Sequence, residues 1–369
     1  MTPTVVIAAG GTGGHIYPGL AVAGAIRDLA PDASITFVGT PRGLEGRLIP
    51  EAGWPLRLVD MTPFVGWRRA TLPLALVRSA FQSRRILRET KADVAVGMGG
   101  YASIPLIVGA RLARVPSMIH ESGAIPGRAN LVAARVTGNV ALAWDTAASQ
   151  FPASVEPRVV GMPLNPEIAG FDRDAVRPEA RDAIGVPAGV RLIVVSGGSQ
   201  GAASLNRLAV GLAERWKDRD DVRILLKPGR THIDAVQADL DRTGGSKVCD
   251  AVAYFDRMDH AYAAADVAIM RAGAGTVAEL AVCGVPSILV PYPFASDDHQ
   301  TVNAAVLVDG GGAIMVRDAE ATPDTVAPLI ERLLGDPDEL ARMSAAARVV
   351  GRPRAADEMA AWVLELARG

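Results

Sequence analysis

The chain has 369 residues, 49% of them hydrophobic and 21% charged, with 38 glycines and 25 prolines. That composition excludes disordered and fibrous proteins, and the length calls for two globular domains. Two cysteines, Cys249 and Cys283, are too few for a disulfide framework or a four-ligand zinc site, so a reducing cytoplasm is the expected setting.

The start of the chain lacks the positive n-region of a signal peptide, and no stretch reaches the ~18 uncharged apolar residues of a membrane span. Aromatic residues are only 5%, so Ala, Val, Leu and Ile must fill the core, as they do where helices cover a parallel sheet. Short apolar runs at 5–9, 34–39, 55–61, 93–97, 117–121 and 139–144 read as strands of a first half. Runs at 192–196, 222–227, 248–254, 267–271, 287–290 and 313–316 read as strands of a second. Helical patterns at 19–29, 204–216, 277–283 and 299–308 fall between strands, which is the alternation of βαβ units and parallel sheets.

The first strand runs into Gly10-Gly11-Thr12-Gly13-Gly14 and the first strand of the second half into Gly197-Gly198-Ser199-Gln200-Gly201. Two strand–glycine turn–helix units half a chain apart predict a duplicated fold. A glycine turn at a helix N-terminus lets backbone N–H groups approach a phosphate, although tight packing alone also produces one. Neither turn spells the dinucleotide or P-loop pattern. His15 follows the first turn, where an imidazole serves either as a general base or only to brace the loop.

The net charge of −2 divides unevenly: residues 1–165 carry 16 Lys/Arg against 10 Asp/Glu, and residues 166–369 carry 22 against 30. The basic excess gathers between residues 61 and 91, at Arg68, Arg69, Arg78, Arg84, Arg85, Arg88 and Lys91. Trp67 in a loop and Leu74, Val77 and Phe81 at helical spacing accompany it. Charge runs are usually solvated faces, but apolar residues among arginines suit an anionic membrane surface. Nucleic acid is not expected, because no binding motif is present and the chain is acidic overall.

His120-Glu121 ends a strand at the sheet edge where ligands of α/β folds gather. The proline- and glycine-rich segment 162–189 reads as the linker. Asp172-x-Asp174 and Asp218-x-Asp220 lie in charged connections, so no metal site is expected. The run Arg271-Ala272-Gly273-Ala274-Gly275-Thr276-Val277-Ala278-Glu279 permits two readings. Thr276 and Glu279 satisfy a capping box, or Glu279 accepts bonds from two ribose hydroxyls. His299 and Gln300 follow a strand edge and suit a sugar. Two helices, 338–350 and 355–368, close the chain and are expected to clamp the domains. The expected division is 1–163, 164–350 and a tail, 351–369, that packs back on the first domain.

Taken with Gly99-Gly100-Tyr101 and His299-Gln300-x-x-Asn303-Ala304, these motifs resemble, in order and over nearly the whole chain, the MurG family. Its members are peptidoglycan N-acetylglucosaminyltransferases that make lipid II from lipid I. The resemblance implies an α/β GT-B fold of two Rossmann-like domains facing a cleft. It also implies metal- and cofactor-independent inversion, and a peripheral place on the inner face of the cell membrane. The donor, UDP-GlcNAc, would be held by Thr12, Gly13, Gly14, Ser199, Gln200, Gly201, Phe255, Arg271, Ala274, Gly275, Thr276, Glu279, His299 and Gln300. The acceptor, a polyprenyl-diphosphate-linked sugar, would meet Gly11, Tyr101, His120 and Asn130. His15 and Glu121 would be catalytic. Trp67, Arg78, Phe81, Arg84, Arg85 and Arg88 would touch an anionic membrane. Ser122-Gly123 and Gly161-Met162-Pro163-Leu164-Asn165 depart from the family's usual Gln-Asn and Gly-Asn-Pro-x-Arg, which leaves open a different acceptor, such as an antibiotic precursor. A UDP-sugar epimerase and a nucleotide-sugar-binding protein without activity are further readings.

Overall fold

A computed structural model describes residues 2–61, 72–170, 172–198, 200–255 and 257–369. The chain divides into two compact units, Met1–Asn165 with Pro353–Gly369, and Pro166–Arg352.

The first unit holds strands β1 (Thr4–Ala8), β2 (Ser34–Gly39), β3 (Leu56–Leu58), β4 (Val94–Gly97), β5 (Ser117–Glu121), β6 (Val140–Leu142) and β7 (Arg158–Val159). They form one sheet in the order β3-β2-β1-β4-β5-β6-β7, each pair parallel. The second unit holds β8 (Arg191–Ser196), β9 (Val222–Lys227), β10 (Cys249–Ala251), β11 (Val267–Met270), β12 (Ser287–Leu289) and β13 (Ala313–Met315). Their order, β10-β9-β8-β11-β12-β13, repeats that of β3-β2-β1-β4-β5-β6, and β7 has no counterpart in it. The twelve apolar runs of the sequence are all found as strands. Only β7, two residues long, carried too little pattern to read.

Both sheets reverse their winding where the first strand meets the fourth, β1 beside β4 and β8 beside β11. In open α/β sheets that switch point, at the carboxyl ends of the strands, is where ligands bind. Each glycine turn sits there. Val5, Val6, Ile7 and Ile193, Val194, Val195 are fully buried, the continuous apolar strands that two helix layers require.

The helix Ala355–Arg368 completes the first unit rather than the second. Its Met359, Trp362, Val363 and Leu364 join Ile16, Val22 and Ile26 of the helix Gly13–Leu29 in one core. Burying each such side chain is worth about 1.5–3 kcal/mol. The preceding helix, Pro337–Val350, packs instead within the second unit, against the helix Ala274–Cys283.

Residues 162–189 are not a loose linker. Asp172 caps the helix Arg173–Ile184, accepting the Asp174 and Ala175 N–H groups. Arg173, Arg177 and Arg181 then recur every four residues on one face. Arg173 donates to the Tyr262 and Gly284 carbonyls, and Arg177 to those of Ala263 and Ala265. Arg177, Arg181 and Arg191 converge on the buried Asp266 carboxylate. The carbonyls at the end of the helix Met258–Ala264 attract cations, so a segment rich in helix breakers is anchored by its arginines. The helix Ser103–Ala113 left no periodic signal because its residues are buried on nearly every side.

Candidate active site

In the first unit the helix begins at Gly13, earlier than the apolar pattern indicates, which places His15 in its first turn. Gly11 has a left-handed φ of +88°, and its N–H donates to Glu45 Oε2 at 2.9 Å. The other Glu45 oxygen accepts the Thr40 N–H and hydroxyl at 2.9 and 2.7 Å. Glu45 is fully buried. This carboxylate braces the turn from inside the protein and occupies a donor that a phosphate would otherwise use. Sequence reasoning missed it, because nothing near Glu45 spells a motif.

The loop after β4 is shaped around the same turn. A Cβ on Gly99 would lie 2.6 Å from the His15 ring, and one on Gly100 would lie 2.4 Å from the Gly10 carbonyl oxygen. Gly99-Gly100 are therefore glycines because the imidazole and the first turn fill the space. Burial pulls His15 below the usual imidazole value, against the opposing pull of Glu45. Its buried Nδ1 has no hydrogen-bond partner among the described residues. The side chain is thus a neutral imidazole near pH 7, the form a general base needs. Thr12 and Gly14 are exposed beside it, and Tyr101 is half-buried just ahead of the helix Ser103–Ala113.

His120, Glu121 and Asn130 are brought together, but facing inward. His120 is fully buried; its Nε2 pairs with the Gly161 carbonyl at 2.9 Å and its Nδ1 with Ser122 Oγ at 3.3 Å. Burial lowers its pKa to about 4. Glu121 accepts the Gly123 and Gly127 N–H groups at 2.8 and 2.9 Å and Asn130 Nδ2 at 2.8 Å. Asn130 also donates to the His120 carbonyl. Burial raises the Glu121 pKa although these bonds oppose it. The knot fixes the loop after β5, so its placement does not support Glu121 as an acid or base, nor His120 and Asn130 as acceptor contacts. Gly123 belongs to this loop: a Cβ there would lie 2.9 Å from the Ile125 carbonyl oxygen.

The second glycine turn is built differently. Gly201, at φ +75°, passes so close to Pro228 that a Cβ would meet its carbonyl oxygen at 1.9 Å, and Gly229 abuts the Gln200 carbonyl. The end of β9 thus seats the turn, and Asn206 Nδ2 ties the Pro228 carbonyl to the following helix, Ala203–Arg215. Above the turn lies a cavity of about 670 Å³, lined among others by Gln200, Gly201, Arg207, Arg271, Thr276 and Gln300. Ser199 lies outside the described residues.

Arg271 is not a free charge. Its Nη1 lies 2.6 Å from Asp318 Oδ1 and donates to the Val290 and Pro291 carbonyls, while Nη2 donates to Ser204 Oγ. It ties β11 to β12 and is neutralised on the spot. Arg207, unnoticed in the sequence, is the exposed guanidinium on this cavity.

Gly273, not Thr276, is the N-cap of the helix Ala274–Cys283, which removes the capping-box reading. Ala274, Gly275 and Thr276 form its first turn, and Glu279 lies in its second, half-buried, accepting the Tyr262 hydroxyl at 2.7 Å. Gln300 lines the cavity and accepts the Tyr292 N–H at 2.9 Å, while His299 Nδ1 pairs with the Ser296 carbonyl. Phe255 is buried beside Lys227.

On the helix Leu72–Glu89, Leu74, Val77 and Phe81 are 73%, 53% and 54% exposed. Arg78 pairs with Asp60 and Arg85 with Glu89. Arg84 is half-buried, and its buried Nε has no hydrogen-bond partner among the described residues. Arg88 is exposed. Trp67 lies outside the described residues. No helix among the described residues is long and apolar enough to cross a membrane.

Two parallel-sheet units of matching strand order, each with a glycine turn at its switch point, are the architecture of the GT-B fold. The chain belongs to glycosyltransferase family 28: residues 5–142 match its N-terminal domain and residues 192–359 its C-terminal domain. It is 42% identical over 371 aligned residues to the UDP-N-acetylglucosamine--N-acetylmuramyl-(pentapeptide) pyrophosphoryl-undecaprenol N-acetylglucosamine transferase of Mycolicibacterium vanbaalenii, covering 99% of this chain and 90% of that protein. The crystal structure of Acinetobacter baumannii MurG is similar with a TM-score of 0.79 at 30% identity, over 99% of this chain and 100% of that one. The glycosyltransferase of kitacinnamycin has a TM-score of 0.72 at 17% identity, over 99% of each chain, and shares the fold alone.

Proposed function

We propose that this chain transfers N-acetylglucosamine, with inversion, from UDP-N-acetylglucosamine to the N-acetylmuramyl 4-hydroxyl of lipid I, giving lipid II. The observation that carries the reading is the division of labour between the turns. One holds a neutral, desolvated imidazole, and the other opens on a cavity with a guanidinium at its wall.

In this reading the second unit binds the donor. Backbone N–H groups of the Gln200–Gly201 turn and of Ala274 to Thr276 meet the diphosphate, Glu279 the ribose, Phe255 the uracil through its backbone, and Gln300 the sugar. The first unit binds the acceptor. As the acceptor oxygen attacks C1, the C1–O bond to the diphosphate breaks, the acceptor proton passes to His15, and UDP departs. Charge grows on the diphosphate, where fixed donors stabilise it most. Leu74, Val77 and Phe81, with Arg88, rest on an anionic membrane carrying the acceptor.

The experiment is incubation of the full chain with labelled UDP-GlcNAc and a short-chain lipid I analogue. Disaccharide formation is expected. Transfer to a soluble aglycone but not to the lipid analogue, or epimerisation of the donor without acceptor, would replace the reading.

A further inference from the structure

The cavity over the second glycine turn has an aromatic wall to which the donor contacts above assign no role. Tyr292 and Phe294 lie on it, in the segment between β12 and the helix His299–Asp309. Their rings meet edge to face, with 5.7 Å between centres and 72° between planes. Tyr292 is fixed from behind. The Arg271 guanidinium lies 5.5 Å from its ring centre and donates to the Pro291 carbonyl, and Gln300 Oε1 accepts its N–H. Pro291 and Pro293 restrict the backbone on both sides, and the Ala295 N–H closes a turn on the Tyr292 carbonyl at 3.2 Å. Phe294 stands on this base and is 81% exposed. A single exposed apolar residue is ordinary. A ring propped on a braced tyrosine, in a cavity that Gln200, Arg207 and Gln300 also line, sets an apolar surface beside polar groups, the make-up of a small-molecule site.

We propose that Phe294, propped on Tyr292, is a specificity-determining residue for the donor sugar. It receives the 2-acetamido group, with the methyl on the ring face, and so separates an N-acetylhexosamine donor from the plain hexose. The inference rests on the donor reading above, in which the diphosphate meets the glycine turn and Gln300 meets the sugar. The Gln300 side chain also holds the Tyr292 backbone, so the residue assigned to the sugar and the aromatic wall belong to one braced segment. Hydroxyls and phosphates gain little from an apolar ring, whereas a methyl laid on it takes apolar surface of both partners out of water. The acetamido methyl is the one methyl group of UDP-GlcNAc. A hexose donor has nothing to put in its place.

The test is calorimetric titration of the full chain, wild type and Phe294→Ala, with UDP, UDP-glucose and UDP-GlcNAc. Wild-type protein should bind UDP-GlcNAc more tightly than UDP-glucose. Phe294→Ala should bind UDP-GlcNAc about fivefold more weakly, roughly what burial of one methyl group contributes, and bind the other two within about twofold of wild type. Phe294→Tyr should keep the preference, because it keeps the ring face. The melting midpoint of Phe294→Ala should stay near wild type, since the side chain is exposed, which separates a lost preference from a lost fold. Equal losses for UDP-glucose and UDP-GlcNAc, a loss that extends to UDP, or unchanged binding of all three would overturn the proposal. So would a wild-type protein with no preference between the two sugars. Failure of the wild-type protein to bind UDP at all would instead remove the donor reading itself.

Discussion

The two glycine turns occupy the same place in two sheets of the same strand order, yet they are held in opposite ways. The first is braced by a buried carboxylate that takes the Gly11 N–H and both donors of Thr40. The second is seated by backbone, on the Pro228 carbonyl, and leaves a cavity above it. A turn braced by an internal anion is a poor seat for an external one but a rigid platform for the side chain that follows. Duplication thus gives a shared frame. The chemistry depends on what fills the turn from behind.

The sharpest way to break this comparison is His15→Ala. If the first turn serves as a platform for a base, kcat for transfer should fall by roughly 10²–10⁴, while calorimetry shows UDP affinity within a factor of two of wild type. The Gly11–Glu45 brace does not involve the ring, so the fold should stand. Loss of UDP binding together with activity would mean that the first turn is itself a donor seat.

A second, smaller effect tests the inward-facing knot. His120 is neutral in the folded protein down to about pH 4, whereas the unfolded chain binds a proton near pH 6.5. Unfolding therefore takes up a proton within that window, and stability falls as pH drops through it. The contribution is of order 3 kcal/mol, with His15 adding in the same direction. Urea midpoints between pH 7 and pH 4.5 should decline, and His120→Gln should flatten the slope whatever it does to stability at pH 7. An unchanged slope would mean that His120 is solvated and available to a ligand.

Much of the fold was legible because buried parallel strands leave continuous apolar runs, and because glycine turns announce themselves. The site was legible only in part, and for a physical reason. Type and spacing mark His15, Glu121, Arg271 and Glu279 alike, but whether a polar side chain faces a ligand or the protein depends on partners distant in sequence. Gly161 and Asn130 turn His120 and Glu121 inward, and Asp318 neutralises Arg271. Glu45 and Arg207 carried no motif, because each matters through what it meets in three dimensions.

The cavity over the second turn separates the two arginines by about one order of magnitude in affinity. Arg207 is exposed there and forms no ion pair among the described residues, so a bound diphosphate would be its first anionic partner. Charge-assisted bonds of this kind are worth about 1.5 kcal/mol or more. Arg207→Ala should weaken UDP binding about tenfold, with a smaller loss at high salt because the site is open to solvent. Its thermal midpoint should stay near wild type. Arg271→Ala should do the reverse first: Asp318 loses its counter-charge and two carbonyls lose their donor, so the protein is destabilised before affinity is considered. Melting curves and UDP titrations on both variants, at two salt concentrations, check this. If Arg207→Ala bound UDP as wild type does and Arg271→Ala lost binding without losing stability, the exposed guanidinium would be a solvated surface charge. The sequence-based assignment of the diphosphate charge to Arg271 would then stand.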